Sequence, residues 1–172
     1  EAFEGHYWDA KDLYSRKVHL EDGVLQYDRG NGNVTELAPI TKNTFKMLNL
    51  PNYVAVTFSA KEGKKHIVVS EGEKTLGTLE EYTPLDASKV DLKLYLGAYT
   101  SEELSTTYTF IEKEGNLVAT HSRSSDIELS VVKTDVFKAG GNTIVFTRDA
   151  ANTIQGLNVS TGRVKNLKFS KD

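Results

Sequence analysis

The chain has 172 residues with no cysteine, three prolines and 26% charged side chains, which fits one large or two small globular domains. Without cysteine there is no disulfide scaffold and no thiolate metal site. A formal charge of -3, from 24 acidic and 21 basic residues, gives no electrostatic footprint for nucleic acid, and the apolar runs are too short for a membrane span or a signal-peptide core.

Starting at Glu1, with no initiator Met and no basic leader, the chain reads as beginning inside a longer precursor or as an expressed fragment. The sequons Asn33-Val34-Thr35 and Asn158-Val159-Ser160 would matter only in a eukaryotic secretory route. Strand formers dominate, with 15 Val, 17 Thr, 6 Ile, 8 Tyr and 7 Phe, and 13 Gly supply turns. In chain order the first half is punctuated at Glu21-Asp22-Gly23, Gly30-Asn31-Gly32-Asn33, Lys42-Asn43, Lys61-Glu62-Gly63 and Glu71-Gly72-Glu73. The stretch 83–89 reads as a joint, where Asp86 or Ser88 caps a short helical turn carrying Leu92 and Tyr95. Strands are then predicted over 98–100, 106–110, 117–121, 127–131, 136–139, 143–148, 154–159 and 164–169. Turn signals this frequent, with no long helical stretch between them, describe an antiparallel meander.

The second half repeats the first. At an offset of 92 residues, Gly5 and Tyr7 fall on Gly97 and Tyr99, Gly23 on Gly115, Leu25 on Leu117, Leu37 on Leu129, Ile40 on Val132, Phe45 on Phe137 and Lys46 on Lys138. After a four-residue difference near Leu50-Pro51-Asn52, an offset of 88 sets Phe58 on Phe146, Val69 on Leu157, Leu76 on Val164 and Leu79 on Leu167. The domains expected are a first barrel over 1–83, a linker with a helical turn over 84–96 and a second barrel over 97–172. Eight short strands close most economically into a barrel, because closure removes exposed edges. The fold predicted is therefore all-β, two tandem small eight-stranded antiparallel lipocalin-like barrels, with Tyr7, Tyr99, Phe45, Phe137, Phe58 and Phe146 as core anchors. The alternative is one lipocalin-sized barrel, which needs strands of roughly twelve residues.

Residues 94–104, Thr107-Tyr108-Thr109 and Gly115-Asn116-Leu117, followed by Phe146-Thr147-Arg148-Asp149, Gly156-Leu157 and Gly162-Arg163-Val164-Lys165-Asn166-Leu167-Lys168-Phe169, carry a family likeness. Together they resemble the lipocalin-like β-barrel region C-terminal to the catalytic domain of bacterial serine β-lactamase-like hydrolases, a group that includes penicillin-binding-protein-like esterases and D-aminopeptidases. The likeness covers 92–172; the first half joins it through the repeat and through Phe3-Glu4-Gly5-His6-Tyr7. It implies a non-catalytic region that packs on a hydrolase domain in cis, shapes substrate access or assists homo-oligomerisation, and sits in the periplasm or outside the cell. It implies no cofactor.

Within the chain, Ser130-Val131-Val132-Lys133 has the letters of that family's Ser-x-x-Lys nucleophile motif, but strand alternation puts Ser130 and Lys133 on opposite faces. Ser160-Thr161-Gly162 resembles the family's third motif and lies at a hairpin turn. His6, His19, His66 and His121 stand alone, so no metal site is predicted. Period-two alternation places polar residues beside core positions. If Val18, Leu25 and Phe45 face inward, then Arg16, Tyr27 and Arg29 share that side; Phe110, Leu117 and Phe137 bring Tyr108, Ala119, His121 and Arg123 with them. Arg16, Tyr27, Arg29, Tyr108, His121 and Arg123 are the candidate ligand-binding residues, at a barrel mouth that could take an anion or another polar ligand. Competing classes are a free-standing lipocalin-like binding protein and an interaction module displaying Trp8, Tyr14 and Tyr53.

Overall fold

The computed structural model describes residues 2–30 and 32–172; Glu1, the expected interior start, and Asn31, in the predicted Gly30-Asn31-Gly32-Asn33 turn, lie outside them. The chain divides into two compact units, Glu1–Thr83 and Pro84–Asp172. The first is a meander of β1 (Gly5–Asp9), β2 (Tyr14–Glu21), β3 (Val24–Asp28), β4 (Val34–Pro39), β5 (Thr44–Met47), β6 (Val54–Lys61), β7 (Lys64–Glu71) and β8 (Lys74–Tyr82). The second opens with 3-10 turns at Ala87–Lys89 and Leu92–Tyr95, capped by the Asp86 and Asp91 carboxylates. It continues as β9 (Gly97–Ser101), β10 (Thr106–Lys113), β11 (Asn116–His121), β12 (Ser124–Lys133), β13 (Val136–Ala139), β14 (Asn142–Arg148), β15 (Ile154–Thr161) and β16 (Val164–Lys171).

Each set of eight strands closes on itself as an antiparallel barrel. In the first, β1 returns to β8 through His6 opposite Tyr82 and Trp8 opposite Glu80. In the second, β16 returns to β9 through Lys171 opposite Tyr99. A single lipocalin-sized calyx would instead join the first strand of the chain to its last, so the two-barrel prediction holds. Closure leaves no open edge in either sheet.

Local chemistry explains the short strands. The hairpins β2–β3, β6–β7 and β10–β11 turn at Asp22-Gly23, Glu62-Gly63 and Glu114-Gly115, whose φ values are 50° and 80°, 52° and 78°, and 53° and 80°. Two successive positive φ angles give the turn that matches the right-handed twist of the flanking strands, and glycine takes the second without strain. No neighbour crowds a Cβ at Gly23, Gly63 or Gly115, so the requirement there is backbone conformation alone.

The repeat is visible in three dimensions as a shared aromatic core. In the first barrel Phe3 packs on Phe45 at 5.2 Å and on Phe58 at 4.6 Å, while Phe45 meets Phe58 edge-on at 5.6 Å. In the second, Tyr95 packs on Phe137 at 4.9 Å and on Phe146 at 4.7 Å, while Phe137 meets Phe146 edge-on at 5.5 Å. Tyr7 and Tyr99 are fully buried beside these clusters. Edge-to-face rings gain about 0.5–1.5 kcal/mol per pair beyond their buried area.

Phe3 and Tyr95 extend the repeat at the same offset of 92, beyond where the sequence pattern was followed. Tyr95 ends a 3-10 turn in the stretch predicted to be a linker, yet it is only 3% exposed and belongs to the second core. The difference of four residues near Leu50 is also present: residues 48–53 connect β5 to β6, and Gly140-Gly141 alone connect β13 to β14.

The later alignment differs from the sequence reading. Phe58 lies opposite Ile67 and Phe146 opposite Leu157; Ile67 then pairs with Leu79, and Leu157 with Phe169. The structural equivalents are therefore Ile67 and Leu157, not Val69 and Leu157, and Leu79 matches Phe169 rather than Leu167. The β14–β15 connection over 149–153, with its register shift at Thr147/Arg148, is longer than the Glu62-Gly63 turn. A slip of two residues keeps every side chain on the same face of a strand, so alternation could not detect it.

Candidate functional site

Both barrels are filled by side chains, and a space opens beside predicted residues in each. In the first barrel the core residues Val18 on β2 and Leu25 on β3 fix which faces point inward. Two residues further along the same faces come Arg16 and Tyr27, then Tyr14 and Arg29. These four side chains line a cleft of about 450 Å³, with Met47, Leu50, Val54, Val69 and Leu76 forming its apolar wall.

Arg29 is held at this rim by neutral acceptors. Its Nη1 donates to Asn33 Oδ1 at 2.9 Å and to Thr35 Oγ1 at 2.7 Å, and Nη2 points at Met47 Sδ at 3.4 Å. Its guanidinium carbon lies 5.5 Å from the Tyr27 ring centre. Arg16 stacks over the Tyr14 ring at 4.1 Å, and its Nη1 donates to the Ser15 carbonyl at 2.7 Å. Tyr27 is 3% exposed; burial raises its hydroxyl above the ordinary phenol range, while the Arg16 and Arg29 charges pull the other way. Burial, with Asp9 alongside, also raises Tyr14. Asp9 is itself buried, its Oδ1 accepting from the backbone N–H groups of Lys11 and Asp12 at 2.9 Å each.

The same mouth of the second barrel carries different chemistry at matching positions. Tyr108 stands where Arg16 does, Ala119 where Tyr27 does, His121 where Arg29 does and Ala139 where Met47 does, all at the offset of 92. An apolar space of about 170 Å³ lies there, walled by residues that include Leu104, Tyr108, Ala119, Ile127, Leu157 and Leu167. His121 stacks on Tyr108 with ring centres 4.8 Å apart. Its Nδ1 accepts from the Arg123 backbone N–H at 3.1 Å, so in the neutral ring Nε2 carries the proton and donates to Thr106 Oγ1 at 2.9 Å. Arg123 sits exposed in the turn between β11 and β12.

Of the six candidate residues, the structure gathers Arg16, Tyr27 and Arg29 into one cleft and sets Tyr108 and His121 in contact at the other. Alternation found these residues because each shares a face with a core residue. It missed Tyr14 as part of the cleft, taking it for an exposed aromatic together with Trp8 and Tyr53. Trp8 is 5% exposed with its ring edge-on to Tyr82 at 6.4 Å, Tyr14 is half-buried, and of the three only Tyr53 is exposed.

The two serine motifs fall on β-structure. Ser130 is exposed on β12 opposite Lys138, and a register shift between Val131 and Lys133 follows it. Ser160 is buried, its Oγ accepting from the Asn166 backbone N–H at 3.0 Å across the β15–β16 hairpin. The histidines are dispersed: His6 meets Tyr82 edge-on at 6.0 Å, with burial and Lys17 lowering its pKa, while His66 lies 3.6 Å from Glu80. Among the described residues no three His, Asp or Glu side chains form a group that could hold a metal ion.

No family model and no curated protein matches the chain.

Proposed function

We propose that this chain is a non-catalytic pair of lipocalin-like barrels serving a bacterial serine β-lactamase-like hydrolase, packing on its catalytic domain and shaping substrate access or oligomerisation. One observation carries the reading: the chain's two serine motifs lie on a strand and at a hairpin, with Ser160 Oγ engaged by the backbone and Ser130 on a barrel exterior. Neither arrangement supplies a serine with a base one helical turn away, as that chemistry needs. The resemblance over 92–172 and the tandem arrangement of two barrels give the hydrolase context.

Two measurements test it. The purified chain, incubated with ester, β-lactam and D-amino-acid amide substrates, is expected to show the blank rate; turnover that survives Ser130→Ala would reveal an active site elsewhere in the chain. In the gene, the coding sequence upstream of Glu1 is expected to contain an in-frame Ser-x-x-Lys domain. A signal peptide directly before Glu1 would contradict the accessory role.

A further inference from the structure

We infer that the mouth of the first barrel binds a small organic carboxylate, its anionic end held between Arg16 and Arg29 and its apolar body laid against Leu50, Val54 and Leu76. Among the described residues no carboxylate forms an ion pair with either guanidinium. Asp9, whose charge reaches Tyr27, spends one oxygen on two backbone N–H groups. The cleft thus brings two cations together beside a buried phenol, with the Asp9 carboxylate close to Tyr14 and Tyr27 but ion-paired with neither guanidinium. Charged groups in partly desolvated places are normally paired, and an arginine fork matches a carboxylate with two parallel hydrogen bonds.

The second barrel supplies an internal comparison. It closes with the same strand order and the same kind of aromatic core, yet it has Tyr108 and His121 where the first has Arg16 and Arg29. The arginines are therefore not needed to build the barrel, which separates them from residues such as Tyr7 that both units keep. Arg29 does hold the β3–β4 turn through Asn33 and Thr35, but among the described residues Arg16 reaches only the Ser15 carbonyl and two phenols.

Size and lining select the ligand class. The cleft of about 450 Å³ is floored by core side chains, Tyr27 and Met47 among them at 3% exposure each, so a long tail has nowhere to descend. Leu76, 40% exposed on β8, and the half-buried Leu50 present apolar surface at the rim. A carboxylate with a body of a few carbons satisfies both halves, whereas a bare inorganic anion would leave the apolar wall uncovered.

Titration of the full chain, followed by amide and arginine side-chain NMR shifts, uses hexanoate, hexanamide and inorganic phosphate as probes. Saturable hexanoate shifts centred on β2 and β3 are expected, with hexanamide and phosphate each at least about tenfold weaker. Arg16→Gln, which leaves the β3–β4 turn intact, should weaken hexanoate about tenfold or more, and Arg16→Gln/Arg29→Gln should abolish saturation. Tyr108→Ala, at the matching place in the second barrel, should leave affinity unchanged. Non-saturable hexanoate shifts overturn the inference, as does affinity unchanged in a folded double variant. Phosphate binding as tight as hexanoate overturns the apolar half of the site.

Discussion

The hydroxyl of Tyr99 donates a hydrogen bond to the carbonyl of Tyr95, four residues earlier, at 3.0 Å. Tyr7 makes the same bond to the carbonyl of Phe3 at 2.7 Å. In each barrel a fully buried tyrosine thereby ties the segment entering the first strand to the core. Burial raises both hydroxyls above the ordinary phenol range, so they act as neutral donors. Replacing either by phenylalanine keeps the ring packing and removes the donor from a carbonyl that is buried at Tyr95 and part-buried at Phe3. Tyr7→Phe and Tyr99→Phe should each cost about 1–2 kcal/mol in urea unfolding with an unchanged denaturant slope.

Asp135 makes the second barrel differ from the first in its response to acid. Its carboxylate accepts from Arg148 Nε at 2.8 Å and Nη2 at 2.7 Å, and from the Tyr95 hydroxyl at 2.9 Å. The Arg148 hydrogen bonds hold the Asp135 carboxyl below its usual range, against the raising effect of burial. A carboxylate with a lowered folded pKa contributes stability that is complete above its unfolded value, near 3.9, and lost as pH falls through the folded value. Asp135→Asn should therefore destabilise the protein by about 1–3 kcal/mol at neutral pH, and the gap to the parent should shrink below about pH 4. Thermal unfolding of both proteins from pH 7 to pH 2 reads this out. A gap that widens on acidification would contradict it.

Two glycines separate steric from conformational demands. A Cβ at Gly156 would lie 2.5 Å from the Phe169 carbonyl oxygen, so backbone in the β15–β16 ladder must move. At Gly23, where φ is 80°, no atom lies within 4 Å and only left-handed strain applies. Gly23→Ala should cost about 1–2 kcal/mol. Gly156→Ala should cost more, about 2–4 kcal/mol, with faster amide exchange along β15 and β16. Equal penalties would show that the two strands are not in the register described.

Much of the architecture was legible in the sequence because acid-glycine turns and period-two alternation are local signals. The strand over 136–139 and the inward faces of β2 and β3 followed from them, and so did the meeting of Arg16, Tyr27 and Arg29. Three features needed the fold. Tyr95 reads as the end of a short helical turn, and only tertiary packing shows that it replaces Phe3 in the core. The two-residue slip after β14 leaves the alternation unchanged. Trp8 occupies a strand position opposite in facing to the buried Tyr7, where nothing in the local pattern announces the contact with Tyr82.

Closure of each half on itself is the claim on which both the two-barrel architecture and the small mouth depend. Cross-strand backbone NOEs in the intact, isotope-labelled chain test it directly. The account predicts contacts between His6 and Tyr82 and between Tyr99 and Lys171, each closing one barrel. Contacts joining residues 5–9 to residues 164–171, with none between His6 and Tyr82, would mean a single large calyx and would contradict it.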